Sequence, residues 1–358
     1  MTKKKLAIDV RMLNSSGIGT YLKNIVPILL ECDLDIELIG DHKEIAELKW
    51  NENPNVNVID CNYKIYSLKE QLLMSKLISN DIDLLWVPHF NAPVKYRRKM
   101  LVTIHDMFHF SMSSYLSIPK KLYAKFLMLN VAKKAEKIIT VSSFSESEIR
   151  RHLGENLNIT YIHNGVSNEW SKHNTMFKGN RPYIIYVGNV KPHKNLGTLI
   201  KAFNRIEGLS EHDLYIVGKK EGFLTEDNTI DGIEINQERV KFTGYLSDLE
   251  VKDYVRGADI LIIPSLYEGF GLPPLEAMAC RTPVISSNVA SLPEICGEAA
   301  IYFNPTDEEQ LAEKILELLS NKCMQEELIA LGLERVNQFN WNKSREAHKK
   351  IIKELLEN

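Results

Sequence analysis

Short apolar runs rich in β-branched residues alternate with longer stretches of helical periodicity along most of the chain. The first run is LAIDV at 6–10, and the last clear one is PVISS at 283–287. This alternation is typical of repeated β-α-β units, in which the strands form a parallel sheet. With 358 residues, the chain is long enough for two such α/β domains, each with its own hydrophobic core.

The alternation is interrupted by one polar, aperiodic stretch, which divides the chain. We predict a Rossmann-like domain over 1–167, a linker over 168–182 and a second Rossmann-like domain over 183–338. The last stretch, 339–358, has helical periodicity but comes too late for the second sheet, so we predict a helix that returns to the first domain. Ligands of such sheets bind beyond the carboxyl ends of the strands, so two facing domains would form a deep cleft between them.

Composition argues against several classes of protein. The five cysteines are scattered and form no CxxC pair, which favours a reducing cytoplasm over a disulfide framework or a zinc site. The apolar run near the N-terminus ends at Arg11, too early for a signal peptide, and no stretch is long enough for a membrane-spanning helix. We therefore expect a cytoplasmic protein, soluble or peripheral to the membrane, with no nucleic-acid partner.

Basic residues form local clusters in the first half of the chain, although the net charge is −3. Such clusters suit anionic lipid headgroups at the inner face of a cell membrane. Solvated helix faces are the simpler interpretation, and the sequence leaves both open. The clusters are Lys95, Arg97, Arg98 and Lys99; Lys120, Lys121 and Lys125; and Lys133, Lys134 and Lys137.

The sharpest local feature is EGFGLPPLE at 268–276, which follows an apolar run and a short turn. Gly269 and Gly271 leave backbone N–H groups unshielded, and the two prolines suit the first turn of a helix. A glycine turn at a helix N-terminus binds the negative charge of a diphosphate. Glu276 would lie in the first helical turn, within reach of ribose hydroxyls, while Glu268 would reach another part of the same ligand.

The two glutamates, within PSLYEGFGLPPLEAMACRTPVI, resemble the signature of the retaining glycosyltransferases of family four, which adopt the GT-B fold. The resemblance implies that Glu268 contacts the sugar hydroxyls of a nucleotide-sugar donor and that Glu276 binds its ribose. Further blocks over nearly the whole chain follow in the family's order. The intervening residues Gly269, Phe270, Gly271 and Leu272 would complete the nucleotide-sugar site.

One such block is YVGNVKPHKNLGTLIKAF at 186–203. Lys194 lies between the end of a strand and the start of a helix, so its ammonium can meet the diphosphate opposite the glycine turn. A cation close to a phosphate oxygen is worth about 4 kcal/mol near a protein surface, and more as the diphosphate departs. Many family members carry an arginine where this chain has Asn189, so Lys191, His193 or another residue would supply any second cation.

The first domain offers weaker candidates. Gly17 and Gly19 lie between the first strand and the first helix, but Leu22 replaces the third glycine of a dinucleotide fingerprint. The resemblance implies that this loop approaches the donor and the acceptor. It also implies that His105, at the end of an apolar strand, contacts the donor sugar or the charge that develops near the anomeric carbon. His89 either contacts the acceptor or packs within its loop.

Two Asp-x-Asp pairs superficially resemble a metal-binding motif: Asp33 with Asp35, and Asp81 with Asp83. Both pairs precede strands, where aspartates most often form turns or cap helices. We therefore predict neither a catalytic metal nor a cofactor.

The expected activity is transfer of a hexose, with a preference for mannose, from a GDP-sugar or UDP-sugar to a glycan. The acceptor would be a lipid-linked oligosaccharide in the synthesis of a bacterial surface polysaccharide such as O-antigen. His105, Lys194 and Glu268 are the catalytic candidates. No carboxylate of the first domain is an obvious nucleophile, so we expect front-face attack with a phosphate oxygen as the base.

Two alternative functions remain open at this stage. A sugar-nucleotide epimerase or hydrolase of the same architecture would act without a glycan acceptor. An NAD-dependent dehydrogenase is disfavoured because no complete GxGxxG motif follows the first strand. The sequence fixes neither the donor base, the sugar, the acceptor nor the oligomeric state.

Overall fold

The computed structural model describes residues 3–112, 115, 117–206, 208, 210–218, 230 and 232–357. The chain divides into two compact α/β units. The first unit contains the described residues of 3–112, 117–164 and 341–357, and the second contains residue 115 and the described residues of 165–340. Each unit is built around its own parallel sheet, as the alternation in the sequence predicts.

Among the described residues, seven parallel strands form the sheet of the first unit, in the order β3-β2-β1-β4-β5-β6-β7. They are β1 (Lys5–Asp9), β2 (Asp35–Gly40), β3 (Val56–Asp60), β4 (Leu84–Val87), β5 (Met100–Thr103), β6 (Lys137–Thr140) and β7 (Ile159–Tyr161). The helices of this part are α1 (Ser16–Leu30), α2 (His42–Glu47), α3 (Leu68–Leu77), α4 (Phe108–Ser111), α5 (Ile118–Lys134) and α6 (Ser143–Leu153).

Apolar side chains cover both faces of this sheet, because its central strands are buried runs rather than alternating ones. Leu6 and Ile8 of β1 pack with α1 on one face, whereas Ala7 packs with α3 and α5 on the other. The sheet is therefore a buried layer, and its polar residues collect where the strands end.

The second unit has six parallel strands within its described residues, in the order β10-β9-β8-β11-β12-β13. They are β8 (Tyr183–Val187), β9 (Asp213–Val217), β10 (Val240–Gly244), β11 (Ile260–Ile263), β12 (Val284–Ser287) and β13 (Ile301–Phe303). Its helices are α7 (Asn168–Lys172), α8 (Leu196–Ile206), α9 (Asp248–Gly257), α10 (Leu272–Ala279), α11 (Leu292–Cys296), α12 (Glu308–Ser320) and α13 (Lys322–Val336).

The two sheets share one topology. In each unit the first strand is flanked by the second and the fourth: β1 lies between β2 and β4, and β8 lies between β9 and β11. The chain therefore first adds strands on one side of the first strand and then crosses over to add the fourth strand on its other side. Such a switch point opens a crevice at the carboxyl ends of the two strands, where ligands of parallel sheets bind.

Helix α14 (Trp341–Glu357) follows the second unit in sequence but packs on α1 of the first. Ile352 and Leu356 are buried in the core of the first unit, and the Tyr21 hydroxyl lies 2.5 Å from His348 Nε2. The stretch 168–182, predicted as a linker, carries α7 and lies in the second unit. No helix among the described residues has both the length and the apolar character needed to cross a membrane.

Candidate active site

Lys194 and Glu268 meet at the switch point of the second unit. Lys194 ends a single 3-10 turn, Pro192–Lys194, that follows β8, and Glu268 lies in the loop after β11. Because β8 and β11 are neighbours, the two side chains come together, with 2.6 Å between Lys194 Nζ and Glu268 Oε1. Both side chains are largely buried, with 22% and 16% of their surface exposed.

Asn195 fixes the loop that carries Lys194. Its backbone has a φ of 58°, in the left-handed region that asparagine tolerates better than most residues. Its side-chain amide donates to the carbonyls of Pro264, at 2.9 Å, and Pro305, at 2.7 Å. The loop after β8 is thus tied to the loops after β11 and β13, which holds the ammonium in place.

Glu268 is held as a carboxylate. Burial alone would raise its pKa, but the Lys194 ammonium and hydrogen bonds from Lys194 and Ser265 outweigh burial and lower the pKa below its ordinary value. The Ser265 hydroxyl donates to Oε1 at 2.7 Å, the same oxygen that Lys194 contacts. The site therefore contains one fixed positive charge and one fixed negative charge in direct contact.

The turn from Gly269 to Gly271 is fixed by a serine from another loop. The hydroxyl of the buried Ser291 lies 2.9 Å from the carbonyl oxygen of Glu268 and 2.8 Å from that of Phe270. Gly271 precedes α10 with a φ of 98°, and a Cβ there would lie 3.0 Å from Leu292 Cδ2. Glycine is therefore required at this position both by conformation and by space.

Helix α10 begins at Leu272, directly after Gly271, with both prolines in its first turn. Glu276 is therefore the fifth helical residue and lies in the second turn, so its predicted place in the first turn was wrong. Gly271 adopts the left-handed conformation that ends the preceding loop, so the helix begins at the next residue. Burial, with a smaller contribution from Asp248, raises the pKa of Glu276 to about 7, while Lys252 opposes the rise.

His193 does not provide the second cation. Burial, and then the neighbouring Lys194 ammonium, lower the pKa of its imidazole to about 3. The ring is therefore neutral at physiological pH. Lys191 or another residue would therefore supply any second cation.

In the first unit, Gly17 and Gly19 lie inside α1, which begins at Ser16. The prediction that they form the loop before the helix was therefore wrong. A Cβ at Gly19 would lie 2.2 Å from the Leu13 carbonyl oxygen, so this glycine allows the chain to pass close to the helix. A Cβ at the exposed Gly17 would meet nothing within 4 Å.

His105 follows β5 by two residues. Its Nε2 donates to the carbonyl of Pro88 at 2.9 Å, and its ring packs edge-on against Tyr21 with 4.9 Å between ring centroids. Burial lowers the pKa of His105, although the hydrogen bond to Pro88 opposes this. With the proton on Nε2 of a neutral ring, Nδ1 can accept a hydrogen bond but cannot donate one. The adjacent Asp106 carboxylate accepts from the N–H of Phe108, the first residue of α4, at 2.9 Å.

His89, after β4, is packed within its loop. Its Nδ1 accepts from the Asn91 N–H at 3.2 Å, and its Nε2 lies 3.1 Å from the Tyr66 hydroxyl. Burial lowers its pKa well below the ordinary value, and the nearby His105 and His109 act in the same direction.

The two Asp-x-Asp pairs lie among the lysines that precede and begin β1. Asp33 pairs with Lys3, Asp81 with Lys5 and Asp83 with Lys4. Across the part of the chain that the structure describes, no group of three metal-ligating side chains is found.

Three residues that sequence reasoning missed hold the site together: Asn195, Ser265 and Ser291. The first two are within three positions of a candidate residue, so the motifs could have pointed to them. Ser291 has no such signal, because it lies 23 positions beyond Glu268 and reaches the turn only in the folded chain.

Two family models match the chain: Glycosyltransferase Family 4 over residues 16–170, and Glycosyl transferases group 1 over residues 168–335. The chain is 30% identical over 278 residues to an O-antigen chain mannosyltransferase B of Escherichia coli. This match covers 71% of the chain and 70% of the relative.

Solved structures show the same fold. Sucrose-phosphate synthase from Thermosynechococcus elongatus superposes with a TM-score of 0.76 at 18% identity over 99% of each chain. Anabaena HepE in complex with UDP superposes with a TM-score of 0.74 at 17% identity, over 98% of this chain and all of that one. The GT-B fold predicted from the sequence is thereby confirmed. The chain belongs to the group 1 glycosyltransferases, of the family-four type, and is a glycosyltransferase.

Proposed function

We propose that the protein transfers a hexosyl residue from a nucleoside diphosphate sugar to a glycan, with retention of the anomeric configuration and without a catalytic metal. The observation that carries this proposal is the contact between Lys194 and Glu268 beside the N-terminus of α10. One cation, one carboxylate and a glycine turn at a helix N-terminus match a diphosphate joined to a sugar.

Each group of the second unit has a distinct part of the donor to bind. The Lys194 ammonium and the turn at Gly269–Gly271 would bind the diphosphate, with Phe270 and Leu272 shaping the turn. Glu268 would accept hydrogen bonds from sugar hydroxyls, since both of its present side-chain contacts are with Oε1. Glu276 would accept from the ribose hydroxyls in its ionised form.

In the reaction, the bond between the anomeric carbon and the diphosphate oxygen breaks, and its electron pair stays on the diphosphate. Lys194 stabilises that charge. The acceptor oxygen forms the new bond on the same face, and its proton passes to a phosphate oxygen of the leaving group. His105 accepts a hydrogen bond from a donor hydroxyl through Nδ1, and the segment at Gly17 and Gly19 contributes to donor and acceptor binding.

Two similar proteins indicate which donors to compare, because they differ in the sugar or nucleotide that their names give. The relative from Escherichia coli is named a mannosyltransferase, and the similar Anabaena structure binds UDP. We favour mannose as the sugar, and GDP-mannose and UDP-hexoses are the donors to compare. The name of the first relative also supports a role in the synthesis of O-antigen or a related bacterial surface polysaccharide. For such a role we propose a lipid-linked glycan as the acceptor and the cytoplasm as the location.

A surface of α5 suits the membrane location that such an acceptor requires. Ile118, Leu122 and Phe126 recur every four residues along one side of the helix, and more than half of each side chain is exposed. Lys120, Lys121 and Lys125 flank this apolar stripe. Apolar side chains between lysines suit the interface of an anionic bilayer.

A donor screen tests the proposal. The shift in unfolding temperature is measured for the protein with GDP-mannose, UDP-glucose and UDP-galactose, because a ligand of the native state raises stability. The preferred donor is then incubated with and without a lipid-linked glycan, and the anomeric configuration of the product is read by NMR. An inverted product would refute retention. Equal donor consumption without acceptor would refute transfer and favour a hydrolase or epimerase.

Vesicle sedimentation tests the α5 surface. The protein should bind vesicles rich in phosphatidylglycerol more strongly than phosphatidylcholine vesicles, and Leu122→Ser should weaken that binding. Leu249→Ser is the matched control, because Leu122 and Leu249 are both 61% exposed and Leu249 lies in the second unit. Equal loss of binding in the two variants would contradict the proposal.

A further inference from the structure

Tyr21 of α1 lies beside His105, the histidine assigned to the donor sugar. The centroids of the two rings are 4.9 Å apart, and the ring planes are at 89° to each other. Tyr21 has no exposed surface, so its phenol ring replaces water on that side of the imidazole. With Nε2 donating to the Pro88 carbonyl at 2.9 Å, Nδ1 is the nitrogen that is left to accept from a donor hydroxyl.

The hydrogen bond to Pro88 determines which nitrogen of His105 carries the proton, but it does not fix the plane of the ring. Rotation of an imidazole about its Cβ–Cγ bond is broad. A hydrogen bond worth about 1 kcal/mol leaves much of that rotation free. A rigid ring packed against the imidazole supplies the second constraint, because a rotated imidazole would have to displace it. Tyr21 is in the position to supply this constraint.

Tyr21 is itself held by its ring and by its hydroxyl. The hydroxyl lies 3.1 Å from Thr103 Oγ1 and 2.5 Å from His348 Nε2. The phenol ring packs edge-on against Trp86, with 6.1 Å between centroids, and against His348, with 5.3 Å. These three neighbours are fully buried. Tyr21 therefore cannot move without breaking hydrogen bonds whose groups would find no water in their place.

His348 connects the last helix to this arrangement. It lies on α14, 327 positions after Tyr21, and α14 packs on α1 within the first unit. Its Nδ1 donates to the Ser344 carbonyl, one turn earlier in the same helix, at 2.7 Å. Nε2 of the neutral ring is therefore an acceptor for the Tyr21 hydroxyl. An imidazole fixed by its own helix in this way fixes the position of the tyrosine.

Stability gives little reason for polar side chains at these buried positions. Buried groups that satisfy each other contribute little net free energy, and apolar groups of the same shape can be nearly as stable. Hydrogen bonds do impose one geometry, because each has a preferred distance and direction. The functional group that this fixed geometry reaches is the His105 ring, at the end of the contacts from α14 through Tyr21.

We propose that Tyr21 is a positioning residue for His105, and that α14 serves the reaction by holding Tyr21 through His348. This rests on the proposed function, in which His105 accepts a hydrogen bond from a donor hydroxyl. Tyr21 and His348 act through the imidazole and do not bind the donor. A displacement of a reacting group by about 1 Å can cost about 100-fold in rate. Loss of the Tyr21 ring should therefore lower kcat, while the nucleotide, bound by the second unit, keeps its affinity.

A double-mutant cycle on the kcat of transfer tests the inference. Tyr21→Leu should lower kcat about tenfold to hundredfold, whereas Tyr21→Phe, which keeps the ring, should retain most of it. In a His105→Ala background, Tyr21→Leu should change kcat by less than about twofold, since the group it acts through is missing. The Kd of the free nucleoside diphosphate should stay within about twofold in every variant.

Tyr183→Leu is the matched control for the cycle. Tyr183 is a tyrosine of the second unit with 2% of its surface exposed, so its loss should lower stability as loss of Tyr21 does. Its kcat should equal that of the wild type at a temperature where both are folded.

NMR shows the positioning without the reaction. The Nε2–H proton of His105, identified by its absence in His105→Gln, is hydrogen-bonded to Pro88 and should exchange slowly with water. In Tyr21→Leu its exchange rate should rise by at least about tenfold, because the ring is no longer held in one plane. In Tyr183→Leu the exchange rate should match that of the wild type.

Three outcomes would overturn the inference: full kcat in Tyr21→Leu, an equal effect of Tyr21→Leu with and without His105, and unchanged proton exchange in Tyr21→Leu. If Tyr21→Leu does not fold, His348→Leu is taken through the same cycle, with an expected fall in kcat of about threefold to tenfold. Full kcat in His105→Ala alone would refute the role of His105 in the proposed function, and the inference with it. The three outcomes above leave that role standing, so the two failures are distinguished.

Discussion

The charge of Glu268 depends on Lys194, and that dependence gives the pair a role in both stability and catalysis. Without the ammonium, burial would raise the pKa of Glu268. The same ammonium is the cation proposed to stabilise the departing diphosphate. A change at Lys194 should therefore affect the folded state and the reaction through different physical causes, and the two effects can be separated.

We predict that Lys194→Met lowers kcat by about 100-fold to 1000-fold, because charge on the leaving group is no longer compensated. The free energy of unfolding should fall by up to about 3 kcal/mol, since Glu268 loses its partner. Urea unfolding and steady-state transfer rates provide the two measurements. The control is Lys314→Met, which removes an exposed ion pair with Glu317 in the same unit.

Adding Glu268→Gln to Lys194→Met should restore much of the stability and none of the activity. The second substitution removes the uncompensated carboxyl but does not supply a cation. If the double variant is less stable than Lys194→Met, the ion pair is not the source of the lost stability. If Lys194→Met retains full kcat, the leaving-group role is refuted.

Glu276 gives a pH dependence of donor binding. Its pKa of about 7 means that the carboxyl loses its charge as the pH falls through neutrality. A protonated carboxyl accepts hydrogen bonds from ribose hydroxyls less well. We predict that the Kd for the preferred nucleotide sugar rises as the pH is lowered from about 8 to about 6.

In Glu276→Gln the Kd for the nucleotide sugar should be higher than that of the wild type at pH 8, and it should stay nearly constant between pH 8 and pH 6. A nucleotide sugar is the suitable ligand, because its diphosphate has no group that titrates here, unlike the terminal phosphate of a free nucleotide. His193, with a pKa of about 3, stays neutral throughout. A wild-type Kd that is constant from pH 8 to pH 6 would contradict the role of Glu276.

At the scale of elements, the glycine turn and α10 act as one unit. Ser291 holds two carbonyls of the turn, and Gly271 turns the chain into the helix. Gly271→Ala should cost about 1 to 2 kcal/mol of unfolding free energy, because alanine is strained at positive φ. It should also weaken donor binding, since a Cβ would press on Leu292 and displace the helix N-terminus.

Gly232→Ala is the matched control for this prediction. Gly232 has a φ of 80°, and a Cβ there would meet nothing within 4 Å. Gly232→Ala should lower the free energy of unfolding, as Gly271→Ala does, but it should leave the donor affinity unchanged. Equal donor Kd values in the two variants, measured by calorimetry, would show that the turn does not bind the diphosphate.

The helices and strands could be predicted from the sequence, because buried parallel strands and amphipathic helices have distinct patterns of apolar residues. The starts of α1 and α10 were misplaced, since both depend on how a loop residue turns in three dimensions. The motif glutamates and Lys194 were found as local patterns. The pairing of Arg11 with Glu70 was not, because 59 positions separate them and only the packing of α3 beside β1 brings them together.

At the scale of the whole chain, the repeated sheet topology explains where polar chemistry occurs. Apolar strands on both faces of each sheet leave the strand ends as the places for charged groups. In both units these charges gather beside the first and fourth strands. The same topology therefore carries two charge clusters of different composition, one with a lysine beside a glycine turn and one with an arginine between two carboxylates.

The last helix ties the end of the chain to the first unit through a buried chain of hydrogen bonds. Trp86 Nε1 donates to Thr103 Oγ1, which lies 3.1 Å from the Tyr21 hydroxyl, and His348 Nδ1 donates to the Ser344 carbonyl at 2.7 Å. The Tyr21 hydroxyl must therefore donate to His348 Nε2. Burial lowers the pKa of His348 to about 4, against 6.5 for an ordinary histidine.

This depressed pKa predicts a loss of stability in acid. Above pH 6.5 the imidazole is neutral whether folded or unfolded, and between 6.5 and 4 only the unfolded chain takes up the proton. The first unit should therefore lose up to about 3 kcal/mol over this range through His348 alone. Unfolding of the first unit can be followed by tryptophan fluorescence in a Trp170→Phe background, because the remaining tryptophans, Trp50, Trp86 and Trp341, all belong to that unit. His348→Gln cannot titrate, so the difference in unfolding free energy between it and the wild type should shrink as the pH falls. A constant difference would show that His348 is not the group responsible.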